Sequence, residues 1–270
     1  YRHHDVVALV ALYRSRQYTN TLFLFISRTM ISSILDSPVL IGCAAALLSI
    51  AAAISILIFR VIFPTIITYP WRLPPKDSRQ CKSDKKSTVV LAGSFNPPHL
   101  GHLVMIRYLA ERYGRVICCI GVNPNKQYDV TPQSRAEILR EMLINDGGCN
   151  NVTVEVVSGY IWRFARTQNA SSFFRGIRTW DADGGDERTL QILNTWGPLI
   201  LGRIWPMKTM FLEGDPQYRH VSSTLVRQIC ARRKEAIESE DSNADINEEL
   251  TRLVPERVAS KVAEVYGARS

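Results

Sequence analysis

The longest uncharged stretch of the chain limits what its first third can fold into. Residues 39–59 (VLIGCAAALLSIAAAISILIF) carry no charged side chain over 21 positions. As a helix they would span about 31 Å, enough to cross a bilayer core of about 30 Å. Apolar residues continue beyond Arg60 to Tyr69. The sequence therefore predicts a transmembrane or signal-anchor segment over residues 39–69, with a helix buried in a soluble core as the alternative.

Charged segments flank this apolar stretch on both sides. Residues 1–38 form an N-terminal extension with four arginines, which suggests a targeting region. Residues 70–87 (PWRLPPKDSRQCKSDKKS) are polar, basic and proline-containing, as in a linker. Basic residues prefer the cytoplasmic side of a membrane, so the second segment favours a cytosolic C-terminal domain. The arginines before the span weaken that orientation, and the organelle stays open.

The net charge of +8 is concentrated outside the C-terminal domain. Residues 1–86 carry 11 Lys/Arg and 4 Asp/Glu, whereas the remainder carries 22 and 21. A nucleic-acid-binding domain needs a basic face of its own, so we expect no nucleic-acid partner. The six cysteines form no CxxC pair and no metal-type spacing. We expect neither a protein-bound metal site nor disulfides.

Strands and helices alternate from Thr88 onward. Short apolar runs predict strands near residues 89–92, 116–122, 152–157, 172–174 and 207–212. Helical patterns lie between and after them, near residues 102–113, 132–143, 161–167, 186–196, 222–233 and 255–266. The acidic residues 238–249 read as a loop. This alternation predicts an α/β fold over residues 88–270, a Rossmann-like parallel sheet with flanking helices.

The first motif, GSFNPPHLGH, spans residues 93–102 between a buried strand and a helix. Ligands of α/β sheets bind beyond the carboxyl ends of the strands, and a helix N-terminus attracts anions. Gly93 allows close approach of a phosphate, and His99 and His102 can donate hydrogen bonds to it. The segment resembles the (H/T)xGH motif of the nucleotidylyltransferase superfamily. A capped turn with two incidental histidines is the structural alternative.

The second motif, VSSTLVR, spans residues 221–227 and resembles the ISSTxxR element of the same superfamily. Ser222, Ser223 and Thr224 place three hydroxyls at a helix start, where they can cap the helix or bind phosphate. Arg227 adds a planar cation. The motif follows the first by more than 100 residues, in the order that the superfamily has.

The stretch between the motifs resembles the phosphopantetheine adenylyltransferase family. Its matching elements are the Asn125–Lys126 pair with Thr131, Pro132 and Arg135, the segments FARTQNA (164–170) and RGIR (175–178), and the closing YRHVSSTLVR (218–227). The resemblance covers residues 87–267 in order. It implies transfer of AMP from ATP to 4′-phosphopantetheine, with Mg²⁺ bound to the nucleotide, and a homohexameric assembly.

The resemblance also implies a role for each matching residue. Catalysis falls to His102, Lys126 and Arg175, with His102 stabilising the α-phosphate. The acceptor is held by Ser94, Lys126 and Arg175, with Ile161 lining the pantetheine arm. ATP is contacted by Gly93, Ser94, Phe95, His99, His102, Gly176, Arg178, Glu187 and Tyr218, and its β- and γ-phosphates by Ser222, Ser223 and Thr224.

Some positions depart from the family pattern. Asn96 stands where an aspartate is usual, and Gly159 where the family often has Asp. The acidic segment of the family aligns with residues 183–187 only after a one-residue insertion. Residues 195–205 are about six longer than in bacterial members, which together with the anchor could alter subunit contacts.

Two other functions remain open on the sequence. Asn96 and His99 also suit a nicotinamide mononucleotide adenylyltransferase, although RGIR and FARTQNA oppose that reading. A membrane-tethered, non-catalytic nucleotide-binding protein would be expected to have broken motifs, and these are intact. A cytidylyltransferase is disfavoured because its RTEGIST-type motif is absent.

Overall fold

A computed structural model describes residues 37–67, 84–122, 127–144, 149–238 and 244–267. The described residues divide into two units, one ending at Phe59 and the other beginning at Arg60. Residues 1–36 of the predicted N-terminal extension lie outside the described residues, as do most of the predicted linker and the catalytic candidate Lys126.

The second unit contains a six-stranded parallel sheet, confirming the predicted α/β fold. Its strand order is β1-β6-β5-β2-β3-β4, and each neighbouring pair is parallel. The strands are β1 (Thr65–Ile67), β2 (Asp84–Gly93), β3 (Tyr113–Val122), β4 (Val152–Ser158), β5 (Ala170–Ile177) and β6 (Lys208–Glu213). Parallel strands place all their carboxyl ends at one edge, where the first motif begins.

Helices connect and cover the strands. They are α1 (Pro38–Ile62), α2 (Leu100–Arg112), α3 (Pro132–Leu143), α4 (Ile161–Thr167), α5 (Trp180–Gly202), α6 (Ser223–Glu238), α7 (Ala244–Thr251) and α8 (Glu256–Gly267), with a 3₁₀ turn at Pro216–Tyr218. The α3 start follows its sequence signals, because Thr131 Oγ1 accepts from Ser134 N at 3.1 Å and Pro132 occupies the first helical position.

Alternate residues of the strands fill two apolar layers. Val89 and Leu91 of β2 join the layer that also holds residues of α2, α3, α6 and α8. Val90 and Ala92 point to the opposite layer, against which Phe164 of α4 packs. A sheet that is buried on both faces explains why its strands read as near-continuous apolar runs.

Three elements differ from the sequence expectation. Residues 65–67, expected inside the membrane segment, form β1 and pair with Met210–Leu212 of β6. Their β-branched side chains suit a strand as well as an apolar helix, so hydropathy alone could not separate the two. The acidic segment near 238–249 contains helix α7 rather than only a loop, and α5 extends well beyond 186–196 at both ends.

Gly114, near the start of β3, allows the backbone of β2 to approach closely. Helix α2 ends at Arg112, and β3 begins at once. A β-carbon on Gly114 would lie 2.2 Å from the carbonyl oxygen of Lys85. Glycine is needed there because β2 begins at Asp84, inside the expected linker, and passes close to this backbone.

Helix α1 is long and apolar enough to cross a membrane. It has 25 residues with a mean hydropathy of 2.5 over its most apolar window, and that window is 6% buried. It ends at Ile62, so the helical part of the predicted 39–69 segment is shorter than expected. Length and composition are the whole basis of this assignment.

Candidate active site

The loop after β2 folds back on itself at Phe95. Phe95 adopts a left-handed backbone with φ of 45°, and the Asn96–Pro97 peptide bond is cis. A β-carbon on Gly93 would lie 2.9 Å from the Phe95 ring. Gly93 is therefore required because the buried aromatic ring covers its backbone.

His99 and His102 stack on each other at the start of α2. Their ring centroids are 3.8 Å apart, and the backbone N–H of His99 donates to His102 Nδ1 at 3.2 Å. In a neutral imidazole this hydrogen bond places the proton on Nε2. The His102 ring therefore has a fixed tautomer, and its Nε2–H is a hydrogen-bond donor at the start of α2. A side chain on Gly101 would meet the His99 ring at 3.2 Å, so the close stacking requires a glycine.

Burial keeps both imidazoles neutral. Desolvation lowers the pKa of His102 to about 4, and desolvation followed by repulsion from His102 lowers the pKa of His99 well below its ordinary value. The unfolded chain binds more protons than the native one between about pH 4 and the ordinary histidine pKa of 6.5. Stability contributed at His102 is therefore complete above that window and falls as the pH falls through it.

Side chains from distant elements hold the loop 94–97 through its oxygen atoms. Arg135, which is fully buried, donates to Ser94 O at 2.6 Å, and its guanidinium lies 4.6 Å from the centroid of the Tyr128 ring. The other contacts are Arg227 to Asn96 O, Ser223 Oγ to Pro97 O at 2.8 Å, and Tyr266 OH to Asn96 Oδ1 at 2.8 Å. These contacts from three helices thus fix the geometry of the loop.

Asn96, the departure from the family pattern, has a specific partner. Its side chain is buried, and its Oδ1 accepts a hydrogen bond from the hydroxyl of Tyr266 on helix α8. Burial raises the pKa of Tyr266, so its hydroxyl stays protonated and donates. The Asn96 amide oxygen therefore has a lasting hydrogen-bond donor in the Tyr266 hydroxyl.

Arg175 and Glu187 form a bidentate ion pair. Arg175 Nε and Nη2 donate to the two carboxylate oxygens at 2.9 and 2.5 Å, and Nη1 donates to Ala92 O at 3.0 Å. Both side chains are largely buried. The sequence assigned Arg175 to the acceptor phosphate and Glu187 to ATP. The structure places them against each other, at the carboxyl end of β5 and on α5.

A second pair joins Arg178 to Asp183. The Asp183 carboxylate accepts the backbone N–H of Arg178 at 2.7 Å and its Nη2–H at 2.6 Å. The side-chain hydrogen bond to Asp183 and the attraction of its charge raise the pKa of Arg178.

Gly176 allows α2 to pack against the end of β5. A β-carbon on Gly176 would lie 2.6 Å from Met105 Sδ.

The three hydroxyl groups of the second motif have different hydrogen-bond partners. Ser222 Oγ accepts from Leu225 N at 3.1 Å and caps α6. Ser223 joins α6 to the first loop through Pro97, and Thr224 Oγ1 accepts from Arg227 at 3.1 Å. Tyr218 ends the preceding 3₁₀ turn, and its Cβ would be 3.8 Å from a β-carbon on Gly101. The two motifs therefore meet in space.

A cleft of about 440 Å³ lies where the motifs meet. Its lining residues are Ser94, Asn96, Gln127, Tyr128, Asp129, Ser223, Thr224 and Arg227. Its volume is in the range of small-molecule sites. The site prediction included Ser94, Ser223 and Thr224. It did not name Asn96, Arg227 or the polar residues 127–129, of which the last follow the Asn125–Lys126 pair in the sequence. The predicted catalytic residues His102 and Arg175 are not among the residues that line this cleft.

Ile161 lies at the same edge of the sheet. A β-carbon on Gly121, near the end of β3, would be 2.9 Å from Ile161 Cδ1. The contact with a pantetheine arm that the resemblance implies for Ile161 would therefore lie near the end of β3.

The described residues contain no group of three or more His, Cys, Asp or Glu arranged to hold a metal ion.

Comparison with known proteins identifies the family of this chain. The model of the Cytidylyltransferase-like family matches residues 90–229, more than half of the chain. The phosphopantetheine adenylyltransferase of Kocuria rhizophila is 32% identical over 143 residues, which are 53% of this chain and 85% of the relative. The chain belongs to the phosphopantetheine adenylyltransferase family. The enzyme of that name from Chromobacterium violaceum is 34% identical over 140 residues, 51% of this chain and 79% of the relative.

Membership confirms the family assigned from the motifs and makes the chain a nucleotidyltransferase. Among solved structures, nicotinic acid mononucleotide adenylyltransferase of Plasmodium falciparum complexed with APC has a TM-score of 0.44 and 12% identity. That match covers 67% of this chain and 97% of the other.

Proposed function

We propose that the domain transfers the adenylyl group of ATP to 4′-phosphopantetheine, giving dephospho-coenzyme A and pyrophosphate. The observation that carries the proposal is the fixed tautomer of His102 in the first motif, in a chain of this family. A neutral Nε2–H donor suits a phosphate whose negative charge grows as it reacts.

The chemistry requires positioning and charge neutralisation more than covalent catalysis. A phosphate oxygen of the acceptor attacks the α-phosphorus in line, and the bond to the bridging oxygen breaks as pyrophosphate leaves. His102 would donate to the α-phosphate, while Ser94, Lys126 and Arg175 hold the acceptor phosphate. The hydroxyls of Ser222, Ser223 and Thr224 would receive the β- and γ-phosphates.

Arg175 would have to exchange partners during this cycle. It is paired with Glu187 in the structure, and a phosphate competes for the same guanidinium edge. Binding of the phosphate would then release the Glu187 carboxylate from Nε and Nη2 of Arg175. Gly93, Phe95, His99, Gly176, Arg178 and Tyr218 would border the nucleotide.

Mg²⁺ would bind together with ATP. Mg²⁺ in such sites is held largely by substrate phosphates and water. Among the described residues, the candidate carboxylates Asp183 and Glu187 already pair with arginines. The phosphate oxygens of ATP would therefore supply its main ligands, and the ion would neutralise the departing pyrophosphate.

Nicotinamide mononucleotide is the second candidate acceptor, favoured by Asn96 in the first motif. The test is pyrophosphate release by the detergent-solubilised full chain with Mg²⁺–ATP and each acceptor separately. We expect phosphopantetheine to be used at least about tenfold faster, which corresponds to about 1.4 kcal/mol in the transition state. The reverse preference would overturn the acceptor and leave the family intact.

The domain is further proposed to be anchored by the apolar segment, within residues 39–69, and to face the cytosol. Support comes from the length and hydropathy of α1 and from the basic residues after it. The homohexamer implied by the resemblance stays a prediction.

A further inference from the structure

The second half of α5 exposes large apolar side chains on one surface. Leu193, Ile200 and Leu201 are exposed, and their spacing of seven and eight residues places them on one face of the helix. Trp205, in the segment that follows, is also exposed. We call this set, with Ile200 at its centre and 72% exposed, the α5 apolar surface.

Arg60 connects this surface to the end of the apolar segment. Its Nη1 donates to Pro206 O at 3.4 Å, its guanidinium lies 5.8 Å from the Trp205 ring, and its carbonyl accepts from Gln191 Nε2. All four residues belong to the second unit. Arg60 is the first residue after the uncharged residues 39–59, so it lies directly at the end of that stretch.

We propose that the α5 apolar surface rests on the bilayer. The inference depends on the proposed anchoring: if residues 39–59 cross a membrane, Arg60 leaves it at the lipid–water boundary. Trp205 and Pro206, in contact with Arg60, must then lie within a few ångströms of that boundary. Tryptophan and arginine are the residues that membrane proteins place at this level.

The charge of the region fits lipid headgroups. Residues 188–212 contain no Asp or Glu over 25 positions, whereas Arg188, Arg203 and Lys208 are basic. Arg203 and Lys208 are exposed on either side of Trp205. An apolar surface with a basic rim is the pattern of interfacial segments that bind anionic membranes. A second copy of the chain is the competing occupant.

Site-specific photocrosslinking distinguishes these occupants. The full chain would be reconstituted into phosphatidylcholine–phosphatidylserine vesicles with p-benzoylphenylalanine in place of Ile200. The matched control carries the same group at Ile237 of α6, which is 50% exposed and lies across the sheet from α5. Irradiated protein is analysed by mass spectrometry for lipid adducts and by gel electrophoresis for crosslinked dimers.

The proposal predicts lipid adducts at position 200 in severalfold excess over position 237, without crosslinked dimers. Dimers at position 200 would overturn it in favour of a subunit interface. Equal labelling at both positions, or none, would overturn it as well. Carbonate extraction of the same vesicles shows whether the anchor itself failed, and pyrophosphate release shows independently whether the enzymatic assignment stands.

Discussion

His102 is a neutral donor because burial and the His99 backbone act on it together. Because the pKa is lowered, the imidazole is neutral and carries one proton. The hydrogen bond from His99 N to Nδ1 means that this proton is on Nε2. A donor aimed at a reacting phosphate contributes mainly when the phosphorus is five-coordinate. The interaction should therefore appear in turnover rather than in ATP affinity.

His102→Ala should lower turnover by about 10²–10³, the usual loss for one such donor. ATP affinity should change by less than about tenfold. Steady-state kinetics and calorimetric ATP binding measure the two effects, with folding checked by circular dichroism. Glu111→Ala, at an exposed position on the same helix, is the control and should be near wild type. Near-normal turnover in folded His102→Ala would reduce the first motif to a phosphate-binding turn.

Arg175 differs from His102 because it has a buried partner. Removing it leaves Glu187 unpaired, and breaking a buried pair typically costs about 3–5 kcal/mol of stability. An alanine substitution would therefore mix folding with acceptor binding. Arg175→Lys keeps the charge but loses the bidentate geometry, so it is the cleaner probe of the acceptor Michaelis constant.

At the scale of elements, the terminal helix α8 supports the active-site loop. Tyr266 reaches from α8 to Asn96, a separation of 170 residues along the chain. Arg135 on α3 and Arg227 on α6 hold neighbouring carbonyl groups of the same loop. The loop that carries the first motif thus depends on three helices that lie far from it in sequence.

Tyr266→Phe should lower the free energy of unfolding by about 1–3 kcal/mol, because the buried Asn96 Oδ1 loses its donor. Thermal and urea unfolding of the solubilised chain measure the change. In an Asn96→Ala background the same substitution should cost clearly less, since the interaction is already gone. Equal costs in both backgrounds would show that the Tyr266 hydroxyl does not stabilise the loop through Asn96.

For the whole molecule, the sequence predicted the regular parts of the domain well. Most strands are apolar runs between turn signals, and Thr131 with Pro132 marks the start of α3 at the correct residue. The short strand β1 was missed because Thr65–Ile67 fit a membrane segment and a strand equally well. The Arg175–Glu187 pair could not be predicted from the sequence. A family resemblance assigns each residue to a ligand, but it does not say which side chains of the protein the residue contacts.

The proposed membrane anchor is also tested on the whole chain. The full chain should remain in the membrane pellet after carbonate extraction. Leu48→Arg together with Ala52→Arg should release it, because each arginine near the centre of a span costs about 2.5–3.5 kcal/mol. Both positions are exposed on α1, so the folded domain should be unaffected. Ser49→Ala is the matched control and should stay in the pellet, and a wild-type chain released by carbonate would contradict the anchor.

The pairing of β1 with β6 determines where this protein can be divided. Without Thr65–Ile67, the backbone groups of Met210–Leu212 that β1 now engages would become a bare sheet edge. Bare edges invite strand addition from other molecules and hence aggregation. A soluble fragment should therefore begin before Thr65, even though the family match starts only at residue 90. Residues 65–67, which follow α1, would thus keep the β6 backbone paired in any fragment that retains them.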